Sequence, residues 1–189
     1  MTVTSNTIAN QAVQLMGGNQ PAVSGVAPTF DSSTNGKALQ NLYAPTVAAV
    51  ARQYEWGFAR TVKALVVTGN AAPFPWAYEY SYPAQCVQIW QLAPAALADP
   101  NDPLPINWID GSNLVGGTQS RVIWTNQANA QAIFNANPAE STWDALFRQA
   151  VVELLARVLS LATAGKPDLA QSLLESSSGF TQIAEGRDG

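Results

Sequence analysis

Trp76-Ala77-Tyr78-Glu79-Tyr80-Ser81-Tyr82-Pro83 sets an aromatic ring at every second residue. Side chains alternate between the faces of an extended strand, so Trp76, Tyr78, Tyr80 and Tyr82 share one side and Glu79 stands on the other. Rings of this size fill a core or make a contact surface. Three readings stay open: rings packed into a sheet core or onto helices, a protein–protein contact, and a stacking platform for sugars or single-stranded bases. Base stacking comes with a basic groove, and no Lys or Arg lies between Lys63 and Arg121. That counts against nucleic acid and leaves the packed reading as the plainest.

Outward from the stripe, residues 61–68, 86–92 and 119–125 are short runs rich in β-favouring side chains. Turn residues separate them: Asn70 to Pro73, Pro75, Pro94, Pro100 to Pro105, Asp110-Gly111-Ser112-Asn113 and Gly116-Gly117. Trp108 and Trp124 sit in or beside the later strands. The expected product is a small antiparallel sheet with a long proline-rich loop over 93–105.

Both flanks change period. Thr4 or Ser5 is placed to cap a helix carrying Ile8, Ala12, Val13 and Leu15, which Gly17-Gly18 stops. An aperiodic link follows to about residue 35. Leu39, Leu42, Tyr43, Thr46, Val47, Val50 and Tyr54 then recur at helical spacing, with Pro45 predicting a kink or a break. Near the other end, Ser141-Thr142-Trp143-Asp144 has the form of a capping box. The helix it opens is apolar around most of its circumference through Leu161, with Asp144–Arg148 and Glu153–Arg157 spaced as i,i+4 pairs. Pro167 and Asp168 suit the start of another helix. The fold class expected from this pattern is α+β: mainly a helical bundle, residues 1–57 and 139–189, with a small antiparallel β-sheet insertion at 58–138.

Composition excludes whole function classes. The chain has 189 residues, 47% hydrophobic and only 12% charged, about half the usual charged share of a soluble domain. A chain so short of charge is suited to hiding surface in an assembly. Its net charge of −4 opposes a role in gripping phosphates. It has no histidine and a single cysteine, Cys86, which excludes His-based triads, His-containing zinc sites and an internal disulfide. The N-terminus has no signal-peptide pattern, and the most apolar run, 150–162, is interrupted by Glu153 and Arg157. Synthesis and assembly in a cytoplasm are expected, with no membrane partner.

Candidate chemistry is sparse. Asp99 and Asp102 form an acidic pair, but prolines surround them and no third carboxylate is near, so a solvated loop is the plainer reading. Glu79 has no partner carboxylate and reads as an exposed strand residue. The Gly-Gly pairs lack the context of a phosphate loop. Cys86 reads as a small buried hydrophobe. No catalytic residue, metal site or cofactor is expected.

Taken in order, Gln53-Tyr-Glu-Trp56-Gly-Phe58-Ala59, the Trp76 to Pro83 strand, Cys86-Val-Gln-Ile-Trp90, Val122-Ile-Trp124-Thr-Asn126 and Thr142-Trp143-Asp-Ala-Leu-Phe147 resemble the head-to-tail connector (adaptor, tail tubular protein A-like) proteins of short-tailed bacteriophages. The resemblance runs from about Ile8 to Glu185. It marks Trp56, Phe58, Trp76, Tyr78, Tyr80, Tyr82, Trp90, Trp124 and Trp143 as family aromatics. It implies a structural virion protein at the neck: a helical bundle with a β insertion, forming a ring, usually twelve-fold, between the portal protein and a tail nozzle (tail tubular B-like) protein. DNA would pass through the lumen without sequence-specific binding. The C-terminal segment would reach the portal, making Phe180, Ile183 and Arg187 contact candidates. The 17–30 link and the 93–105 loop depart from larger members. The competing reading of the residues is a carbohydrate-binding module using Trp76, Tyr78, Tyr80 and Tyr82.

Overall fold

A computed structural model describes residues 3–17, 22–95, 106–137 and 139–164. The chain divides into two compact units, Met1–Phe58 with Pro138–Gly189, and Ala59–Asn137.

In the first unit, Thr4 caps α1 (Ser5–Leu15) by accepting from the Thr7 N–H at 3.3 Å. The apolar face of α1, Ile8, Ala9, Ala12 and Val13, is buried. Its polar face is used to hold backbone. Asn6 Nδ2 donates to the carbonyls of Val23 and Gly25 at 2.9 and 2.8 Å, and Asn10 both donates to and accepts from Val23. These bonds seat a miniature hairpin, β1 (Gly25–Val26) and β2 (Thr29–Phe30). Strands of two residues are too short to leave a period in the sequence, so the link was legible only as aperiodic.

Asp31 follows the hairpin. It accepts from the backbone N–H of Ser24 at 2.6 Å and of Ser33 at 3.0 Å, and from both serine hydroxyls. The Ser24 amide, with Ser33 behind it, holds the carboxyl down at about 2. Ser33 caps α2 (Thr34–Ala51) through the Gly36 N–H. Of the kink or break expected at Pro45, the break does not occur: α2 continues through Pro45, which lies on its exposed face.

Asp144, not Ser141, caps α3 (Ala145–Leu159), accepting from the Phe147 N–H at 2.7 Å. Residues 140–142 form a separate 3-10 turn, so the expected capping box is replaced by a simple cap. α3 packs against both α1 and α2 and buries Phe147, Val151, Leu155, Ala156 and Leu159. Its near-complete apolar girth is the sequence mark of that central position. A π-helical turn, Ser160–Ala164, follows.

The second unit is all β among the described residues. One antiparallel sheet has the order β3 (Arg60–Ala64), β8 (Ala130–Ala136), β5 (Cys86–Pro94). The other has β4 (Tyr78–Ser81), β7 (Thr118–Thr125), β6 (Trp108–Val115). Gly116 and Gly117, both at positive φ, make the two-residue turn joining β6 to β7. The sheets share one apolar core: Tyr80 and Ile123 from one, Ile89, Leu92, Ala132 and Phe134 from the other. β5 slips register twice against β8, between Cys86 and Gln88 and between Ile89 and Gln91.

The described chain therefore carries eight strands in three antiparallel sheets against three α-helices. It is mostly β, and the expectation of a mainly helical bundle is corrected. Two strands account for much of the difference. Asp110-Gly111-Ser112-Asn113 was expected to turn, yet it is the middle of β6, paired residue by residue with β7. Ala130–Ala136 has weak intrinsic β preference but is the central strand of its sheet, paired on both sides. Cross-strand pairing decides such segments more than intrinsic preference does. The helix expected after Pro167 lies outside the described residues.

Candidate functional site

The aromatic stripe divides along its length. Tyr80 is 1% exposed and donates through its hydroxyl to the Gln127 carbonyl at 2.9 Å. Tyr82 is half-buried against the same core, with the Arg121 guanidinium 3.8 Å from its ring centre. Burial, and then the adjoining Cys86, push the Tyr82 hydroxyl above its usual range. Cys86 itself is half-buried and donates to that hydroxyl at 3.6 Å. Tyr78 stacks on Tyr80 at 6.2 Å but lies at the margin, 37% exposed. Trp76 precedes the strand and is half-buried. Two of the four rings thus belong to the core between the sheets, and no four-ring platform faces outward.

The opposite face of β4 holds what the sequence reading missed. Glu79 was expected to be exposed; it is 2% exposed. Oε1 accepts from Thr68 Oγ1 at 2.6 Å and Asn70 Nδ2 at 2.9 Å. Oε2 accepts from Asn113 Nδ2 and Trp124 Nε1, each at 2.8 Å. Burial alone would raise this carboxyl, but four donors outweigh it and bring it down to about 2. A carboxylate held ionised, with both oxygens occupied, has no proton to give and no lone pair aimed at a substrate. Its work is structural. One signal in the sequence pointed to it: Glu79 is the single charged residue between Lys63 and Asp99.

Glu79 orders the loop that enters β4. Asn70 bridges Glu79 and the Leu114 carbonyl, Thr68 N–H donates to the Glu79 carbonyl, and Val67 bridges Tyr80. At the far side, Ala77 N–H donates to Asn126 Oδ1 and Trp76 N–H to the Pro73 carbonyl. Between these anchors Phe74, flanked by Pro73 and Pro75, stands 98% exposed. Val66, Val67 and Leu114 are exposed as well. The loop is pinned on both sides of an outward-facing apolar side chain.

The other aromatics that carry the resemblance are structural. Trp56, Phe58 and Trp143 gather on Phe147 at ring distances of 5.0, 5.1 and 4.9 Å, and Trp56 Nε1 donates to the Val50 carbonyl. Trp124 is the Glu79 donor just described, and its ring lies over Gly111, where any Cβ would collide with it. Trp90 sits at the second register slip of β5, half-buried. Asp99, Asp102, Phe180, Ile183 and Arg187 lie outside the described residues. Of the expected i,i+4 pairs, Asp144 is engaged as a cap, and Glu153 is buried and accepts from Gln149 at 3.1 Å. Gln11, Gln14, Leu15, Arg148, Val152 and Glu153 line a groove of about 540 Å³ between α1 and α3.

Among the described residues no group of three His, Cys, Asp or Glu side chains is placed to hold a metal ion, and no helix is long and apolar enough to cross a membrane. Compared with known proteins, the chain matches no family model and no curated relative.

Proposed function

We propose that this chain is a structural protein of a phage virion, a head-to-tail adaptor whose copies form a ring between the portal and the tail nozzle at the neck. The observation that carries the reading is an outward-facing apolar side chain on a loop pinned at both ends, in a charge-poor chain. Phe74 is held out by a loop that a buried, four-bonded glutamate anchors. Large apolar side chains presented on rigid mounts suit permanent contacts between proteins, since little freedom is lost when they dock. The ordered aromatic motifs from Trp56 to Phe147 add the resemblance to the adaptor family. On this reading the partners are the portal, the nozzle and further copies of the chain, and DNA crosses the lumen without sequence-specific contacts. Burial of Tyr80 and Tyr82 weighs against the carbohydrate platform.

Electron microscopy of purified portal incubated with this protein tests the proposal. An added ring at the narrow end of the portal is expected, and bare portals at saturating protein would overturn it.

A further inference from the structure

The second unit carries both halves of a copy-to-copy contact. Residues 60–68 form an edge that passes from one sheet to the other: Leu65 N–H donates to the Ala130 carbonyl of the first sheet, and the Val66 carbonyl accepts from Ser81 of the second. Where the chain changes sheets a cavity of about 180 Å³ opens, lined by residues 63–66 and 81–84. A cavity of about 150 Å³ is enough to take a benzene ring. Tyr82 and Pro83 give it an apolar wall, and Lys63 adds a cation suited to an aromatic face.

Phe74 stands before the start of β4, and the cavity lies at its finish. One copy cannot fill its own cavity, because the loop that carries Phe74 is pinned through Thr68 and Ala77 at the opposite end of the four-residue β4. We propose that Phe74 of one copy enters the cavity at residues 63–66 and 81–84 of the next. Knob and hole are different surfaces of the same unit, so each copy that receives a ring still offers its own. Such a heterologous contact repeats by rotation and closes into a ring when the angle allows. The edge strand supports it. Leu65 bonds inward to β8, so by antiparallel alternation the backbone groups of Val62 and Ala64 point away from β8, beside exposed Val62 and Val66. The occupant is a second copy because the complementary ring is on this chain, already ordered and almost wholly exposed. The inference rests on the adaptor reading for the number of copies, not for the contact.

The test places the photo-crosslinker p-benzoylphenylalanine at position 74 of the full chain. Equal amounts of ¹⁴N- and ¹⁵N-labelled protein are mixed, irradiated alone and after incubation with portal, and mapped by mass spectrometry. Mixed-isotope adducts joining position 74 to residues 63–66 or 81–84 are expected. Adducts only elsewhere, only to portal, or none between copies under either condition would overturn the contact. Phe74→Ser and Ala84→Trp change exposed positions and leave the fold intact. Each is expected to weaken copy-to-copy association by about tenfold or more. Portal rings that fill with Phe74→Ser as fully as with wild type refute this contact alone. Mixed-isotope adducts from a chain that never adds to portal refute the adaptor reading alone.

Discussion

Each unit buries one glutamate in the middle of a regular element, and the two are treated very differently. Glu79, in the β unit, is met by four side-chain donors from three other segments of chain. Glu153, in the helical unit, is 7% exposed and accepts from Gln149 through Oε1, while Oε2 is buried without a partner among the described residues. Removing a carboxylate from water costs several kcal/mol, and only a full set of hydrogen bonds offsets that. A sheet supplies such a set readily, because its neighbours come from distant parts of the sequence. A helix offers mainly its own side chains one turn away. The β unit has therefore made its carboxylate into a clamp, whereas the helical unit leaves one oxygen of its carboxyl without a donor among the described residues.

The sharpest way to break this contrast is Glu79→Leu. It leaves four donors, three of them on half-buried side chains, without their acceptor and should cost about 3–5 kcal/mol, read as a fall in the urea midpoint. A loss below about 1 kcal/mol would show that the donors find water and that Glu79 is no clamp. Acid titration sharpens the same point. The Glu79 carboxyl is lowered from its ordinary 4.5 to about 2 on folding. A depressed carboxyl stabilises above its unfolded value, and that stabilisation drains away as pH falls toward the folded value. The contribution is about 3 kcal/mol at neutral pH and should vanish between about pH 5 and pH 2. Asp31 is lowered into the same range, so the informative quantity is the difference between wild type and Glu79→Gln across that window. A difference that stays constant with pH would remove the electrostatic account.

Gly111→Ala tests the clamp from the other side. The new methyl would meet the Trp124 ring, whose indole N–H is bonded to Glu79. Either the ring tilts and breaks that bond or β6 moves, at a cost of about 1–3 kcal/mol. A shift in tryptophan fluorescence should accompany the loss, and near-wild-type stability with unchanged emission would show that the ring is not fixed.

Gly111 also illustrates which parts of this fold were legible in the sequence. The three helices announced themselves through local period, as in the Ile8, Ala12 spacing, and α1 also through its cap at Thr4. β5 and β7 did so through runs of β-favouring residues. β6 did not, because Asp-Gly-Ser-Asn has the composition of a turn. Its glycine answers to an indole on the neighbouring strand, a demand that no local window contains. Ala130–Ala136 was hidden for the same reason: its strand state comes from partners on both sides. At the site, alternation correctly put Glu79 opposite the tyrosines. Its burial depended on Thr68, Asn70, Asn113 and Trp124 converging, which is a property of register and not of spacing. Phe74, the most exposed large hydrophobic among the described residues, lies between prolines in a stretch that read only as turn.

The smallest effect is expected at Glu153, and its sign is the informative part. Glu153→Met keeps a long, flexible side chain of similar length, removes the partnerless Oε2, and leaves Gln149, an exposed residue, free to turn to water. Replacing a poorly satisfied buried carboxyl by an apolar group is neutral to stabilising, by about 0–1 kcal/mol. Glu79→Met makes the same chemical change in the β unit and should lose several kcal/mol, since four donors lose their acceptor at once. Urea midpoints of the two variants, measured together, give opposite or at least widely separated shifts if donor count governs the worth of a buried charge here. Equal destabilisation at both sites would mean that Glu153 has a stabilising role of its own, with the groove between α1 and α3 the place to look for it, and would end the contrast between the two units.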